Sequence, residues 1–342
     1  MTLILTEGFE TYNVDADVTL GTGKKWTSGT AELRTTSGPK TGARYARSLG
    51  LVKTVAGADE HATFIAGAAY RAGYNVSTEL IGFYADGNTT QHVNLIRNVG
   101  GTLSLRVGTT VVATSAGVLI DSNWHYYELV ATLSDTVGTI DLYIDSSGTP
   151  ALTFSGDTKN GGTDTVFDTF RISGGSFQET DDIYLLTGGG SAPLNARIGE
   201  IRCYPLLPNG NGTTNQGLGS DGNSTDNYLL VDEPAKDLDV GDYVGITTDG
   251  QKDLYNFPSL TPTTGTILNV EVGGYVKKSD SGAKSIRYRV RTGGSEFTGA
   301  DAALASAVFA PHHEQFFVNP NTGIPWTISE VNAMEAGFEA RP

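Results

Sequence analysis

The sequence predicts an all-β protein, a sandwich domain followed by a smaller β-rich domain with a short C-terminal helix. Three observations predict it. Glycine is used 44 times in 342 residues, and each glycine inside a helix would cost about 1 kcal/mol relative to alanine, which disfavours long helices. Apolar residues recur at alternate positions over short stretches, the period of a half-buried strand. Turn residues punctuate those stretches at intervals of about 8–12 residues, the spacing of a sandwich or barrel.

The strands follow in order. Phe64–Tyr70 and Leu80–Tyr84 are the first clear pair, and the second is closed by the turn Asp86-Gly87. Val93–Arg97 alternates, Gly100-Gly101 turns the chain, and Leu103–Val107 and Val111–Ala113 extend the hairpin series. Trp124–Leu133 is a longer strand, and Thr139–Asp145 alternates before the turn Ser147-Gly148. Trp124 is expected to fill the core. From Pro208 to Asp226 nearly every residue is Gly, Asn, Ser, Thr or Asp, so little there can be buried and the stretch reads as an exposed connector. Strands resume with Thr266–Val272 and with Ser285–Arg291, which turns Ile286, Tyr288 and Val290 inward. A short C-terminal helix is expected, capped by Thr327 or Ser329, with Glu330 in its first turn, Val331 and Met334 on its apolar face and Gly337 as its stop. The domains predicted are therefore 1–205, a connector over 206–226, and a smaller β-rich domain over 227–342.

Charge and cysteine usage narrow the function. The formal net charge is −15, and an acidic surface repels phosphate backbones, so nucleic acid is not an expected partner. Cys203 is the single cysteine, so no intrachain disulfide forms and folding in a reducing cytoplasm is expected. No apolar run approaches a membrane span, and the start of the chain lacks the basic region of a signal peptide.

Residues 1–205 resemble the concanavalin A-like, laminin-G-like jelly rolls. The resemblance rests on Glu7-Gly8-Phe9-Glu10, on Trp124-His125-Tyr126-Tyr127-Glu128-Leu129-Val130 followed by Gly138–Asp145, and on Asp181-Asp182-Ile183-Tyr184-Leu185 followed by Ile198-Gly199-Glu200-Ile201. It implies a fold that hosts lectins, glycosidases and adhesive modules alike. Modules of this fold often bind calcium through loop Asp and Asn, which makes Asp86, Asn88, Asp145, Asp181 and Asp182 candidate ligands; turn chemistry explains the same residues equally well. Residues 206–342 resemble a recurrent type of tailed-phage virion protein, in Leu206-Leu207-Pro208-Asn209-Gly210, Gln251–Tyr255, Trp326-Thr327 and Glu330–Gly337.

Hydrolysis on this fold would align two or three carboxylates on one strand at period two. No such run is present: Glu7 and Glu10 are three apart, and Asp181 and Asp182 are adjacent. The expectation is therefore a non-catalytic structural or adhesive virion protein, on a fibre or as head decoration. It would be made in the host cytoplasm and assembled with other virion proteins as a homo-oligomer, with a trimer as first guess. It would touch host surface glycan without inserting into a membrane. The alternative is a carbohydrate-active enzyme or free lectin. Arg287, Arg289 and Arg291 share one strand face near Lys277, Lys278 and Lys284. They read either as a docking surface for an acidic neighbour, whose charge reversal should weaken assembly and spare the fold, or as a solvated face with local carboxylates.

Overall fold

A computed structural model describes residues 2–19, 25–35, 38–72, 76–117, 122–175, 178–190, 194–234, 241–305 and 307–341. The chain is almost entirely β, as the alternation and the glycine usage require, and it divides into two compact units. One comprises residues 1–9 and 25–203, the other residues 10–24 and 204–342.

The first unit holds thirteen strands: β1 (Thr2–Glu7), β2 (Ser28–Arg34), β3 (Tyr45–Thr54), β4 (Thr63–Ala72), β5 (Thr78–Ala85), β6 (Thr90–Arg97), β7 (Leu103–Val107), β8 (Thr110–Thr114), β9 (Trp124–Thr132), β10 (Gly138–Ile144), β11 (Leu152–Gly156), β12 (Thr169–Ile172) and β13 (Gln178–Thr187). They pair along one path, β11-β10-β9-β4-β13-β3-β12-β5-β6-β7-β8, with β1 added on β13 and β2 on β3. Strands β13 and β3 share only the pairs Glu179–Arg47 and Thr180–Ala46. The path folds over at that weak seam, so its halves face each other as a sandwich. The core shows it: Phe64 of β4 meets Phe83 of β5 edge-on at 5.6 Å between ring centres, although the two strands are far apart along the path. Phe167 and Phe170 close on Phe83 at 5.5 and 6.3 Å, and Trp26 lies 6.0 Å from Phe170. All five rings are fully buried, each stabilising the fold by about 2–3 kcal/mol.

Local chemistry fixes the ends of this unit. Phe9 has φ 61°, rare for a bulky residue. The Glu7 carboxylate holds it there by accepting the Phe9 N–H at 2.7 Å. Gly8 lets the closing segment come close, since a Cβ on it would lie 2.4 Å from Cys203 Cβ.

The second unit holds β14 (Gly210–Asn215), β15 (Leu218–Gly219), β16 (Val244–Gly245), β17 (Lys252–Asn256), β18 (Val270–Val276), β19 (Ser285–Thr292), β20 (Ser295–Ala303), β21 (Ala310–Phe316) and β22 (Glu335–Arg341). Its main sheet runs β14-β17-β22-β19-β20, and β15-β16 and β18-β21 form separate ribbons. Val270, Val272, Ile286, Tyr288, Val290, Trp326, Val331, Met334 and Ala336 make its core. Two expectations change here. The stretch 206–226 is not a bare connector, because 210–215 form an edge strand of this sheet. Buried carboxylates order the stretch instead of apolar side chains: Asp253 Oδ1 accepts the Gln216 and Gly217 N–H groups, each at 2.6 Å, and Glu335 Oε2 accepts the Thr213 N–H at 2.8 Å. The C-terminal helix, α1 (Ile328–Asn332), is capped by Thr327 in a capping box with Glu330, but Gly337 does not stop it. Gly337 sits inside β22, where a Cβ would lie 1.9 Å from Asp253 O. The glycine serves close strand approach.

Candidate functional site

The residues expected to act as sites are placed as follows. Asp86 and Asn88 lie in the β5–β6 turn at φ 54° and 82°, and Asp86 Oδ2 accepts the Thr90 hydroxyl at 2.7 Å. Asp145 follows β10 at φ 51°; it accepts the Tyr126 N–H at 2.8 Å and pairs with His125 Nδ1 at 2.7 Å. Asp181 and Asp182 are fully buried in β13. Asp181 accepts the N–H groups of Lys40 and Thr41 at 2.9 and 3.2 Å, and Asp182 accepts the Thr41 hydroxyl at 2.7 Å and the Cys203 N–H at 2.8 Å. Burial pushes both carboxyls up, Asp182 to about 6. The five residues thus occupy three separate elements; the carboxylates of Asp86, Asp145, Asp181 and Asp182 accept bonds within the first unit, and Asn88 Oδ1 is buried without a partner. Among the described residues, no cluster of three or more His, Cys, Asp or Glu could hold a metal ion.

The basic stripe of β19 is a ladder of internal ion pairs. Arg287 pairs with Asp301, Arg289 with Glu296 and Glu339, and Arg291 with Glu335 at 3.1 Å. Lys284 lies 3.8 Å from Asp280, Lys278 donates to the Gly282 carbonyl at 3.1 Å, and Lys277 stands over the Phe309 ring at 4.4 Å. The arginines thus face carboxylates of their own unit, the second of the two readings of the stripe. Trp124 is also not a core residue. It is half-buried, with the Arg71 guanidinium 4.8 Å over its ring, while Trp26 fills the core.

A different constellation stands on the sheet face formed by β12, β5, β6 and β7. Register builds it. Arg171 pairs with Gly82, Gly82 with Asn94, and Asn94 with Arg106. These four positions form one row on one face, because their neighbours Phe170, Phe83, Val93 and Leu95 point into the core. Glu79 and Tyr84 flank the row. Glu79 Oε2 accepts the Tyr84 hydroxyl at 2.6 Å, Gln91 Nε2 at 3.3 Å and the Asn94 amide. Arg171 lies 3.4 Å from Glu79 Oε1. Gly82 makes the arrangement fit: a Cβ on it would lie 2.5 Å from the Tyr84 ring, 2.8 Å from Asn94 Nδ2 and 3.1 Å from the Glu79 carboxyl carbon.

Electrostatics tighten the cluster. Burial pushes the Glu79 carboxyl up, opposed by the Tyr84 hydroxyl, the Arg171 charge and the two amides. Burial and the Glu79 charge push the Tyr84 phenol up. A buried carboxylate in contact with a phenol, backed by a guanidinium, can pass a proton and hold hydroxyl groups.

Glu128 offers a contrast. It is buried and accepts the Tyr184 hydroxyl, the Gly199 N–H and Arg197 Nη1 at 2.6, 2.7 and 2.6 Å. Both of its oxygens are used, which marks a structural tie. In the Glu79 cluster, Asn94 Oδ1 and Glu79 Oε1 are buried without a hydrogen-bond partner, and so are Arg106 Nε and Arg171 Nε. Of these, Glu79 Oε1 and Arg171 Nε face each other at 3.4 Å as an ion pair, so the cluster is less fully satisfied than the Glu128 tie. The sequence carried one signal for this site, a glycine in the middle of an apolar strand.

No family model and no curated protein matches the chain. Solved structures do. An alginate lyase bound to an alginate tetrasaccharide is similar over 54% of this chain and 96% of its own, at 11% identity and TM-score 0.37. A sialidase of Trypanosoma rangeli is similar over 57% of this chain and 31% of its own, at 16% identity and TM-score 0.36. This chain therefore spans under a third of that sialidase. Both of these proteins are enzymes by name. The expectation of a non-enzymatic chain is withdrawn on that finding. Neither of these two proteins is named as a virion protein, and the phage resemblance of residues 206–342 is not shown.

Proposed function

We propose that this chain is a carbohydrate-directed protein whose glycan site is the Gly82 face of the first unit. The observation that carries the reading is the convergence of Tyr84, Gln91, Asn94 and Arg171 on the Glu79 carboxylate, on one face of a rigid sheet. Carboxylate, amide and guanidinium groups are fixed planar partners for vicinal hydroxyls, and a few convergent polar groups on a rigid sheet are what orients a small ligand. The Glu79–Tyr84 contact adds a proton-transfer pair at the same place.

The test is a polysaccharide and oligosaccharide library, scored for both binding and turnover. The wild type should engage a subset of it, and Glu79→Gln and Tyr84→Phe should each weaken that engagement at least tenfold while melting normally. An empty library, or engagement unaffected by both variants, would refute the assignment.

A further inference from the structure

Among the described residues, the ribbon of β18 and β21 pairs with no other strand, so it is held in the second unit through its two faces. Val270, Val272, Gly274 and Val276 lie opposite Phe316, Glu314, His312 and Ala310. Residues opposite one another share a face, and this face meets the core, which holds Val270 and Val272. His313, opposite Gly273, is on the other face. Both imidazoles are buried, at 4% and 8% exposure. On the core side, the Tyr288 hydroxyl of β19 donates to the His312 carbonyl and Trp326 Nε1 to the Phe316 carbonyl, each at 2.9 Å. Glu314 accepts the Ala300 N–H of β20, and the arginines of β19 leave from the face opposite to Tyr288. On the outer side, Tyr12 meets His313 edge-on at 6.3 Å between ring centres, Tyr275 donates to Asp17, and Gln315 donates to Glu271 at 3.2 Å. Lys277, at the end of β18, stands over the Phe309 ring. Among the described residues His312 makes no ion pair, and its Nδ1 is buried without a hydrogen-bond partner.

We infer that this ribbon is an acid-sensitive clasp: a proton taken up at His312 loosens it from the main sheet and frees residues 10–19, which pack on its outer side. An imidazolium at this place loses its water and has no carboxylate bonded to it. Burial, with the His313 charge beside it, holds His312 below the usual histidine range. The closed ribbon therefore binds fewer protons than the open one as pH falls through about 6.5, and its stability falls with pH. Glu314 acts in the other direction, because burial pushes its carboxyl up, so a variant at His312 isolates the histidine. The ribbon shares no backbone ladder with the main sheet, and it can open while that sheet stays folded.

The experiment follows amide hydrogen exchange of the full chain at about pH 7.5 and about pH 5.5, on either side of the ordinary histidine value and corrected for the intrinsic pH dependence of exchange. Protection of β18 and β21 should fall at least threefold at the lower pH, while β17 and β22 keep theirs. His312→Gln, which cannot charge, should cancel the fall. NMR titration of the wild-type imidazoles gives a second reading that needs no variant to fold. His312 should titrate below about 6.5, and His313→Gln should move it upward. Unchanged ribbon protection, an equal loss across the main sheet, the same fall in His312→Gln, or a His312 midpoint in the ordinary range would each overturn the inference.

Discussion

The Tyr84 hydroxyl donates to Glu79 Oε2 at 2.6 Å, beside Gly82, where a Cβ would lie 2.5 Å from the Tyr84 ring. Tyr84 is the largest of the groups that offset the burial of Glu79. Removing the hydroxyl in Tyr84→Phe should move the Glu79 pKa further upward. Carbon-detected NMR titration of the side-chain carboxyl measures it directly. An unmoved Glu79 would show that the hydroxyl does not hold the carboxylate.

Gly82→Ala should push the cluster apart. The added methyl meets the Tyr84 ring, Asn94 and Glu79 together, and overpacking of this kind costs about 1–3 kcal/mol. The expected outcome is a lowered unfolding midpoint in urea with glycan engagement lost. Full engagement by the variant would mean that the Gly82 face is not where the ligand sits.

The Asp181–Asp182 pair gives the fold a pH dependence. Asp182 titrates at about 6, against roughly 4 for the residue in an unfolded chain. Between those values the native state holds a proton that the unfolded chain has released, so stability rises as pH falls from 7 through about 6 and levels off near 4. Asp182→Asn should flatten that slope between pH 7 and pH 5 and raise the melting temperature at pH 7, where the charged pair is costliest. Asparagine tolerates the φ of 48° at this position. A slope equal to that of the wild type would assign the pH dependence to other groups.

Arg289 ties two strands, through Glu296 on β20 and the buried Glu339 on β22. Arg289→Glu would set a third carboxylate against those two. The loss should be about 3 kcal/mol or more in the stability of the second unit, since breaking a buried pair strands its partner. Denaturation followed through Trp326 measures it. A variant with native stability would show that these ion pairs do not hold the second unit together.

Much of the fold was legible because alternation is a local property. The strands around Leu80–Tyr84, Val93–Arg97 and Ser285–Arg291 were readable from period two alone, as were the turns at Asp86-Gly87 and Gly100-Gly101. The site was not legible, because it depends on register. Arg171 reaches Gly82 from nearly ninety residues downstream, and nothing in the sequence near either residue announces the pairing. Trp124 misled for the same reason: a tryptophan beginning a strand reads as core, and the cross-strand neighbour Arg71 that covers it lies on β4. The stretch 206–226 was misread because its order comes from Asp253 and Glu335, distant carboxylates that cap backbone N–H groups.

The most direct test of the glycan site is a crystal structure of the full chain with a library-selected oligosaccharide. The account predicts a sugar on the Gly82 face of the first unit, against the Tyr84, Gln91 and Arg171 side chains that gather on Glu79. A sugar bound elsewhere, on Trp124 or on the second unit, with the Gly82 face empty, would contradict it.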